Sequence, residues 1–247
     1  MPEDEREQPA AHVSPPEWLE LLSAGEVEIE GRLPWSSNYS FLVTCRLGEL
    51  AGRAVYKPAK GERPLWDFGP SLYRREVAAY ELSAALGFGL VPETVVRMDG
   101  PLDEGSLQRF VEADFAQHYF NLVEEPRHGA RLRELGGMDI LLNNADRKGG
   151  HVLVDTDGAL WAIDNALTFH SETKLRTVIW DFAGEDVPPL VLEACDRLVA
   201  DGVPDRLARL ISPEERDALV ARARRLRARP RFPRPRGDHR SYPWPLV

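Results

Sequence analysis

Four side chains able to do ionic chemistry fall close together in the chain: Asp146, Lys148, His151 and Asp164. Between the last two, Val152-Leu153-Val154 and Leu160-Trp161-Ala162-Ile163 are short apolar runs either side of Asp157-Gly158, which predicts a β-hairpin. A hairpin of that length brings its two ends side by side, so the three residues before the first strand meet Asp164 after the second. Two carboxylates, an amine and an imidazole converging on one hairpin mouth are costly unless they handle a cation or a phosphate. The plainer alternative is a polar loop with a solvated salt bridge. In phosphoryl transfer, one aspartate accepts or orients the hydroxyl proton and a second, beyond a short hairpin, holds the metal on the nucleotide phosphates. Asp146 is then the base and Asp164 the metal ligand. Lys148, two residues on in an extended loop, points the same way as Asp146 and can neutralise the moving phosphoryl group. His151 stands where a second metal ligand is needed, with a hydrogen-bonded loop histidine as the alternative. Asp155 and Asp157 read as turn formers, and Asn165 as a group that orients Asp164.

Other elements must position this group. Ala54-Val55-Tyr56-Lys57-Pro58 reads as a strand in which Lys57 is the odd residue. A lysine placed there reaches nucleotide phosphates and needs a carboxylate to hold it; the alternative is an edge-strand lysine that deters aggregation. The helix expected over 73–86 offers Glu76 as that partner, with Glu81 as the fallback if the helix is rotated, and Gly87 ends it. Pro34 to Ser40 connects two strands, and its Ser36, Ser37 and Asn38 hydroxyls and amides can cradle phosphate oxygens, although such clusters are also ordinary turn chemistry.

The segment Asp146-Arg147 … Ile163-Asp164-Asn165-Ala166-Leu167-Thr168-Phe169 resembles the catalytic and metal-binding loops of the phosphatidylinositol 3/4-kinase superfamily. It is most similar to the type II phosphatidylinositol 4-kinases and their bacterial relatives, in particular an actinobacterial group of kinase-like proteins. Val55-Tyr56-Lys57-Pro58 is similar to that family's nucleotide-binding strand, and Pro34–Ser40 to its serine-rich phosphate loop, here without glycine. Glu76-Val77-Ala78-Ala79-Tyr80 … Leu86-Gly87-Phe88-Gly89-Leu90-Val91-Pro92 also resembles the family. The likeness runs from about Gly31 to Phe169 with the order of its parts intact. It departs at His151, where the family usually has asparagine, and an imidazole suits softer divalent ions such as manganese better than magnesium. The resemblance implies an α+β, two-lobed protein-kinase-like fold, with a small antiparallel β lobe and a mainly helical large lobe. It also implies a hinge at the end of the strand 105–112, where backbone groups around Phe110, Val111 and Glu112 meet adenine, and ATP with Mg2+ or Mn2+ as cofactors.

Composition narrows the remaining classes. The chain has 247 residues, 43% of them hydrophobic, enough to bury a substantial core. Its formal charge of −9 argues against a general nucleic-acid binder. The two cysteines, Cys45 and Cys195, lie far apart without a motif, so no disulfide framework or zinc site is indicated. No signal peptide or membrane-length run is visible, and the expectation is a cytoplasmic protein.

The expected organisation is an acidic tail over 1–13, a nucleotide-binding lobe over 14–112, a lobe with the catalytic and metal loops over 113–228, and a basic Pro/Arg-rich tail over 229–247. Strands are expected at 27–33, 40–45 and 54–58, with a turn at Ala51-Gly52-Arg53. The insert Lys60–Pro70 is expected to pack on the small lobe. Gly136-Gly137 predicts a break in the helix 131–142, restarting at Met138, and Asp139 a brace for the loop rather than a reactant. Ser212-Pro213-Glu214-Glu215 is a capping box for a helix through Leu226. The arginines from Arg222 to Arg240 are expected to fold onto the acidic body. The alternatives are binding to an anionic lipid surface, a phosphorylated substrate or nucleic acid.

The function these residues imply is transfer of the ATP γ-phosphate to a hydroxyl acceptor, whether lipid, protein or small molecule. A nucleotide-binding pseudokinase acting as a regulatory partner, and a kinase-fold enzyme that transfers AMP, are the alternatives.

Overall fold

The computed structural model describes residues 13–33, 39–237 and 239–247. Helix α1 (Pro15–Ala24) comes first, its start fixed by Ser14, whose amide donates to Glu17 Oε2 at 2.8 Å. Strands β1 (Glu26–Arg32), β2 (Phe41–Leu47) and β3 (Leu50–Pro58) follow, then helix α2 (Leu72–Ala85) and strands β4 (Thr94–Arg97) and β5 (Gly105–Arg109). The five strands make one antiparallel sheet in the order β1-β2-β3-β5-β4. Alternate residues point to one face, so Val43 and Cys45 of β2, Ala54 and Tyr56 of β3 and Leu107 of β5 form a core with Leu21 and Leu22 of α1. The β2–β3 hairpin turns at Gly48-Glu49, where φ is +59° at Gly48, and not at Ala51-Gly52-Arg53. Gly52 lies within β3 instead, because the Trp18 ring presses on it so closely that a Cβ would come within 2.2 Å.

The rest is mainly helical. It comprises α3 (Tyr119–Leu122), α4 (Gly129–Leu142), the hairpin of β6 (Val152–Val154) and β7 (Leu160–Ala162), α5 (Pro189–Ala200), α6 (Asp205–Ala208) and α7 (Pro213–Ala228). Apolar residues at helical spacing on α4 (Leu135, Met138, Leu142), α5 (Val191, Ala194, Leu198) and α7 (Leu219, Ala223, Leu226) meet in one core, which also takes Cys195. This is the antiparallel-sheet-plus-helices architecture expected from the sequence. No helix among the described residues is long and apolar enough to cross a membrane.

Two expectations about packing resolve differently. The 60–70 insert does not pack on the small lobe alone: Phe68 is buried against Leu72, Ala145 and Ala166, so it bridges the start of α2 and the loop after α4. The predicted break at Gly136-Gly137 does not occur: α4 is continuous. The glycines are there because other elements lie against the helix backbone. A Cβ on Gly137 would come within 2.4 Å of Val191, and one on Gly136 within 3.3 Å of both Ile179 and Phe232.

The C-terminal segment folds back on the body, held by backbone and apolar contacts. The Thr177 amide and the Trp180 indole donate to the Ser241 carbonyl at 3.2 and 3.1 Å. The Gly149 amide donates to the Leu246 carbonyl at 2.7 Å, and Phe232 is buried beside Phe182.

The close approach of α5 makes a prediction. On helix propensity alone Gly137→Ala should stabilise the protein by about 1 kcal/mol. Against Val191 it should instead destabilise by about 1–3 kcal/mol in urea unfolding, the usual cost of overpacking. A more stable variant would mean that α5 does not lie against this face.

Candidate active site

Lys57 is on the opposite face of β3 from the buried Tyr56 and Ala54, which aims its amine away from the α1 core and toward α2. Helix α2 is anchored by Glu62, whose carboxylate accepts the Ser71 and Tyr73 amides at 2.9 and 2.7 Å and so satisfies donors the helix start leaves free. That anchoring puts Glu76 in the interior, 2% exposed, where its carboxylate pairs with Lys57. Its other oxygen accepts the Asn165 amide at 2.8 Å. Lys57 Nζ also meets Asp164 Oδ1 at 2.8 Å. Strand, helix and the loop after β7 are thus joined through one ammonium. Glu81, the fallback partner, lies half-buried near Arg206 instead.

The β6–β7 hairpin brings the remaining candidates in. Lys148 Nζ stands 3.3 Å from Asp146 Oδ2, and His151 Nε2 stands 3.3 Å from Asp164 Oδ2. Asp164 adopts a φ of +55°, a left-handed conformation that costs energy for a residue with a side chain and recurs at functional sites. Asp155 is the turn former expected: its carboxylate accepts the Asp157 and Ala159 amides and the Trp161 indole N–H.

Electrostatics separate the two aspartates. Burial pushes Asp146 up to about 6, with Lys148 opposing and Asp164 reinforcing the shift. Burial acts the same way on Asp164, but Lys57 and His151 outweigh it and hold that carboxyl well below the usual carboxylate range. Lys57 is held firmly charged, since Asp164 and Glu76 overcome the burial that opposes its charge. Burial lowers His151 to about 4, so its imidazole is neutral at neutral pH.

The residues fit a divalent ion in part. Asp164 supplies an ionised carboxylate, the donor such ions prefer. His151 Nδ1 accepts the Lys148 amide at 3.4 Å, which assigns the ring proton to Nε2, the nitrogen that faces Asp164 Oδ2 at 3.3 Å. Ligation through Nε2 requires the other tautomer. Asn165 is fully engaged: Oδ1 accepts from Arg147, and Nδ2 donates to the Ala162 carbonyl at 3.1 Å. Its role is to anchor the Asp164 loop to Arg147 and Glu76, with no side-chain bond to Asp164 itself. Among the described residues no group of three or more His, Cys, Asp or Glu is placed to hold a metal.

Ser36, Ser37 and Asn38 lie outside the described residues. The described end of their loop, Tyr39 and Ser40, lines a cavity of about 20 Å3 beside Lys57, Glu76 and Asp164, room for roughly one water. Phe110 and Val111 line no part of it. The Phe110 amide donates to the Arg53 carbonyl at 3.0 Å and is therefore not offered to an adenine. Val111 is buried, and Glu112 is ion-paired with Arg53.

Arg147 was given no role by its sequence, yet it is the largest fully buried side chain. Its guanidinium contacts both Asp139 oxygens at 3.0–3.2 Å, the Ile163 carbonyl at 2.8 Å and Asn165 Oδ1 at 2.6 Å. Its backbone is held by the Arg176 carbonyl, which accepts the Arg147 amide at 3.0 Å. The available signal was Asp139, an acid on the apolar side of α4 that needed a buried cation.

The fold is that of kinases. Hydra Fam20, solved with sugar, superposes with a TM-score of 0.58 over 88% of each chain at 14% identity. The Helicobacter pylori proinflammatory kinase CtkA superposes with a TM-score of 0.50 over 85% of this chain and 94% of that one at 10% identity. No family model matches the sequence. Protein Rv2133c of Mycobacterium tuberculosis is 38% identical over 262 aligned positions, covering 91% of this chain and 94% of that protein. The chain belongs to the family of Protein Rv2133c.

Asp139 is the carboxylate that pairs with Arg147, and both are fully buried. Asp139→Ala should cost about 3–5 kcal/mol in urea unfolding, because it strands a buried cation. Adding Arg147→Met should recover much of that loss. A single variant within 1 kcal/mol of wild type would remove Arg147 from its place as the brace of this loop.

Proposed function

We propose that the protein is a metal-dependent phosphotransferase that moves the γ-phosphate of ATP to a hydroxyl acceptor. The observation that carries this reading is the three-way contact of Lys57, Glu76 and Asp164, with Asp146 and Lys148 facing the same hairpin mouth. Lys57, positioned by Glu76, binds the nucleotide phosphates. Asp164 would hold a divalent ion, with His151 beside it, and that ion would neutralise charge on the phosphates. Asp146, with a pKa near neutrality, accepts the acceptor's hydroxyl proton, and Lys148 draws charge from the transferred group. Ser36, Ser37 and Asn38 cover the phosphates, and the chain around Phe110 and Val111 borders the adenine.

Support for a hydroxyl acceptor comes also from the neighbours: one is called a kinase, and the other was solved with a sugar, a polyhydroxyl molecule. The resemblance to type II phosphatidylinositol 4-kinases adds an inositol lipid to the acceptor class. Fold does not choose among these acceptors. One observation favours a nucleotide-binding regulatory partner as the second reading: His151 Nε2 stands 3.3 Å from Asp164 Oδ2 and Lys57 pairs with Oδ1, so both oxygens of Asp164 already have a neighbour.

Thermal melting with ATP plus Mg2+ or Mn2+ decides between them when combined with turnover of γ-labelled ATP. At about a hundredfold saturation the nucleotide should raise the melting temperature by about 5–10 °C. Asp164→Ala should lose the metal-dependent part of the rise. Asp146→Asn should keep the rise and lose about 10²–10⁴ in turnover. A rise without turnover under either metal selects the regulatory partner, and no rise in folded protein removes both readings.

The raised Asp146 also fixes a pH dependence. The base form is lost as pH falls through its pKa of about 6, so kcat/KM should fall about tenfold per pH unit below that value. A flat profile from pH 5 to 8 would take Asp146 out of the proton transfer.

A further inference from the structure

Apart from the cavity beside Lys57, a cleft of about 880 Å3 opens between α7, the segment 173–180 and the C-terminal segment. Nine of its eighteen lining residues are Lys or Arg, and none of the described lining residues is Asp or Glu. Concentrating so many cations in one concavity of a chain with a formal charge of −9 is unfavourable unless an anion enters. Some of the cations have partners: Arg231 pairs with Asp186 at 3.1 Å, and Lys174 with Asp67 at 3.3 Å. Arg176, Arg225, Arg229, Arg234 and Arg236 form no ion pair with any described residue.

One cation, Arg222, is partly buried. It donates to the Leu141 and His170 carbonyls at 2.9 and 3.2 Å, but its Nη2 is buried with no hydrogen-bond partner. Such an orphan donor is left for a water or a ligand atom to satisfy. Burial and the neighbouring Arg225 push this guanidinium down to about 10, with Glu215 opposing.

We propose that this cleft binds a compact, multiply phosphorylated ligand. Arginine dominates the lining, and its planar fork matches phosphate oxygens two at a time, which lysine does not. The volume is that of a small-molecule site, and Trp66, Trp180 and Leu226 give it an apolar wall for a ring-sized ligand. The cleft floor includes Asn143 and Arg176, and the Arg176 backbone bonds Asn144 at 2.8 Å and Arg147 at 3.0 Å. The ligand therefore sits against the turn that carries Asp146. Its phosphates can come from a free metabolite or from a lipid headgroup, and both present the same chemistry.

The test is calorimetric titration of the full chain with inositol hexakisphosphate at about physiological ionic strength. Sedimentation with phosphatidylcholine vesicles, with and without phosphatidylinositol bisphosphate, is the second arm. Saturable one-to-one binding of the soluble probe is expected, weakened at least about 30-fold in Arg225→Glu/Arg229→Glu/Arg234→Glu. These three side chains are exposed, so the ligand-free variant should melt no lower than wild type. If it does melt lower, Arg229→Gln alone should still weaken binding about fivefold. Binding to the phosphoinositide vesicles as well assigns the ligand to a headgroup, and binding of the soluble probe alone assigns it to a free metabolite. No saturable binding in either arm overturns the proposal, as does undiminished affinity in both variants. Tighter binding of single-stranded RNA than of inositol hexakisphosphate would also overturn it.

Discussion

The structure depends first on the ammonium of Lys57, on a side chain that is 20% exposed. It arrives from β3 and must be neutralised by carboxylates on α2 and on the loop after β7, because a cation left alone in the interior costs several kcal/mol. That is a large part of the 5–15 kcal/mol by which a domain is ordinarily stable. Three elements from distant parts of the sequence are therefore adjacent by electrostatic necessity. Arg75 reinforces the same junction from α2, pairing with Glu215 at the start of α7 and donating to the Thr168 carbonyl. The cation–π contact of Arg109 with Trp161, at 4.4 Å, does so from β5 to β7.

A second buried cation sets the direction of the side chains that would react. Arg147 points wholly inward onto Asp139, and its neighbours in an extended segment must point the other way. Asp146 and Lys148 consequently share the open side, where both are only partly buried. Asn144 finishes the arrangement: its Oδ1 accepts the Asp146 amide at 2.9 Å and its Nδ2 donates to Asp139 at 3.1 Å. The reactive geometry is thus a consequence of where a non-reacting arginine is buried.

The parts of this legible in the sequence were those expressed as periodicity or as a residue out of place. Alternation marked β1 and β2, apolar runs around Asp157-Gly158 marked the β6–β7 hairpin, and a lysine in an apolar strand pointed to Glu76. What stayed hidden depends on approach between distant elements. Gly136-Gly137 looks like a helix break because local propensity records the entropy cost of glycine but not the backbone contact with Val191 and Phe232 that requires it. Gly52 misled in the same way, since Trp18 covers it from α1. Arg147 carried no local signature, because burial of a cation is decided by a partner on another element. At Phe110 the order of the strands suggested an adenine contact, while the bond from its amide to the Arg53 carbonyl depends on sheet register.

Charge in the C-terminal third is segregated, and this separates two kinds of association that composition cannot. An acidic body and a basic tail suggest neutralisation of one by the other. The tail does return to the body, but Phe232, Ser241 and Leu246 hold it there through packing and backbone bonds. Among its arginines Arg231 reaches a described carboxylate, at the rim where both partners are largely exposed and the pair is worth little. The others line the cleft. Apolar anchors have therefore fixed the backbone in a position that keeps like charges together. The stability of that position is supplied by the core around Phe232, which leaves the guanidinium groups of Arg229, Arg234 and Arg236 to be neutralised from solution.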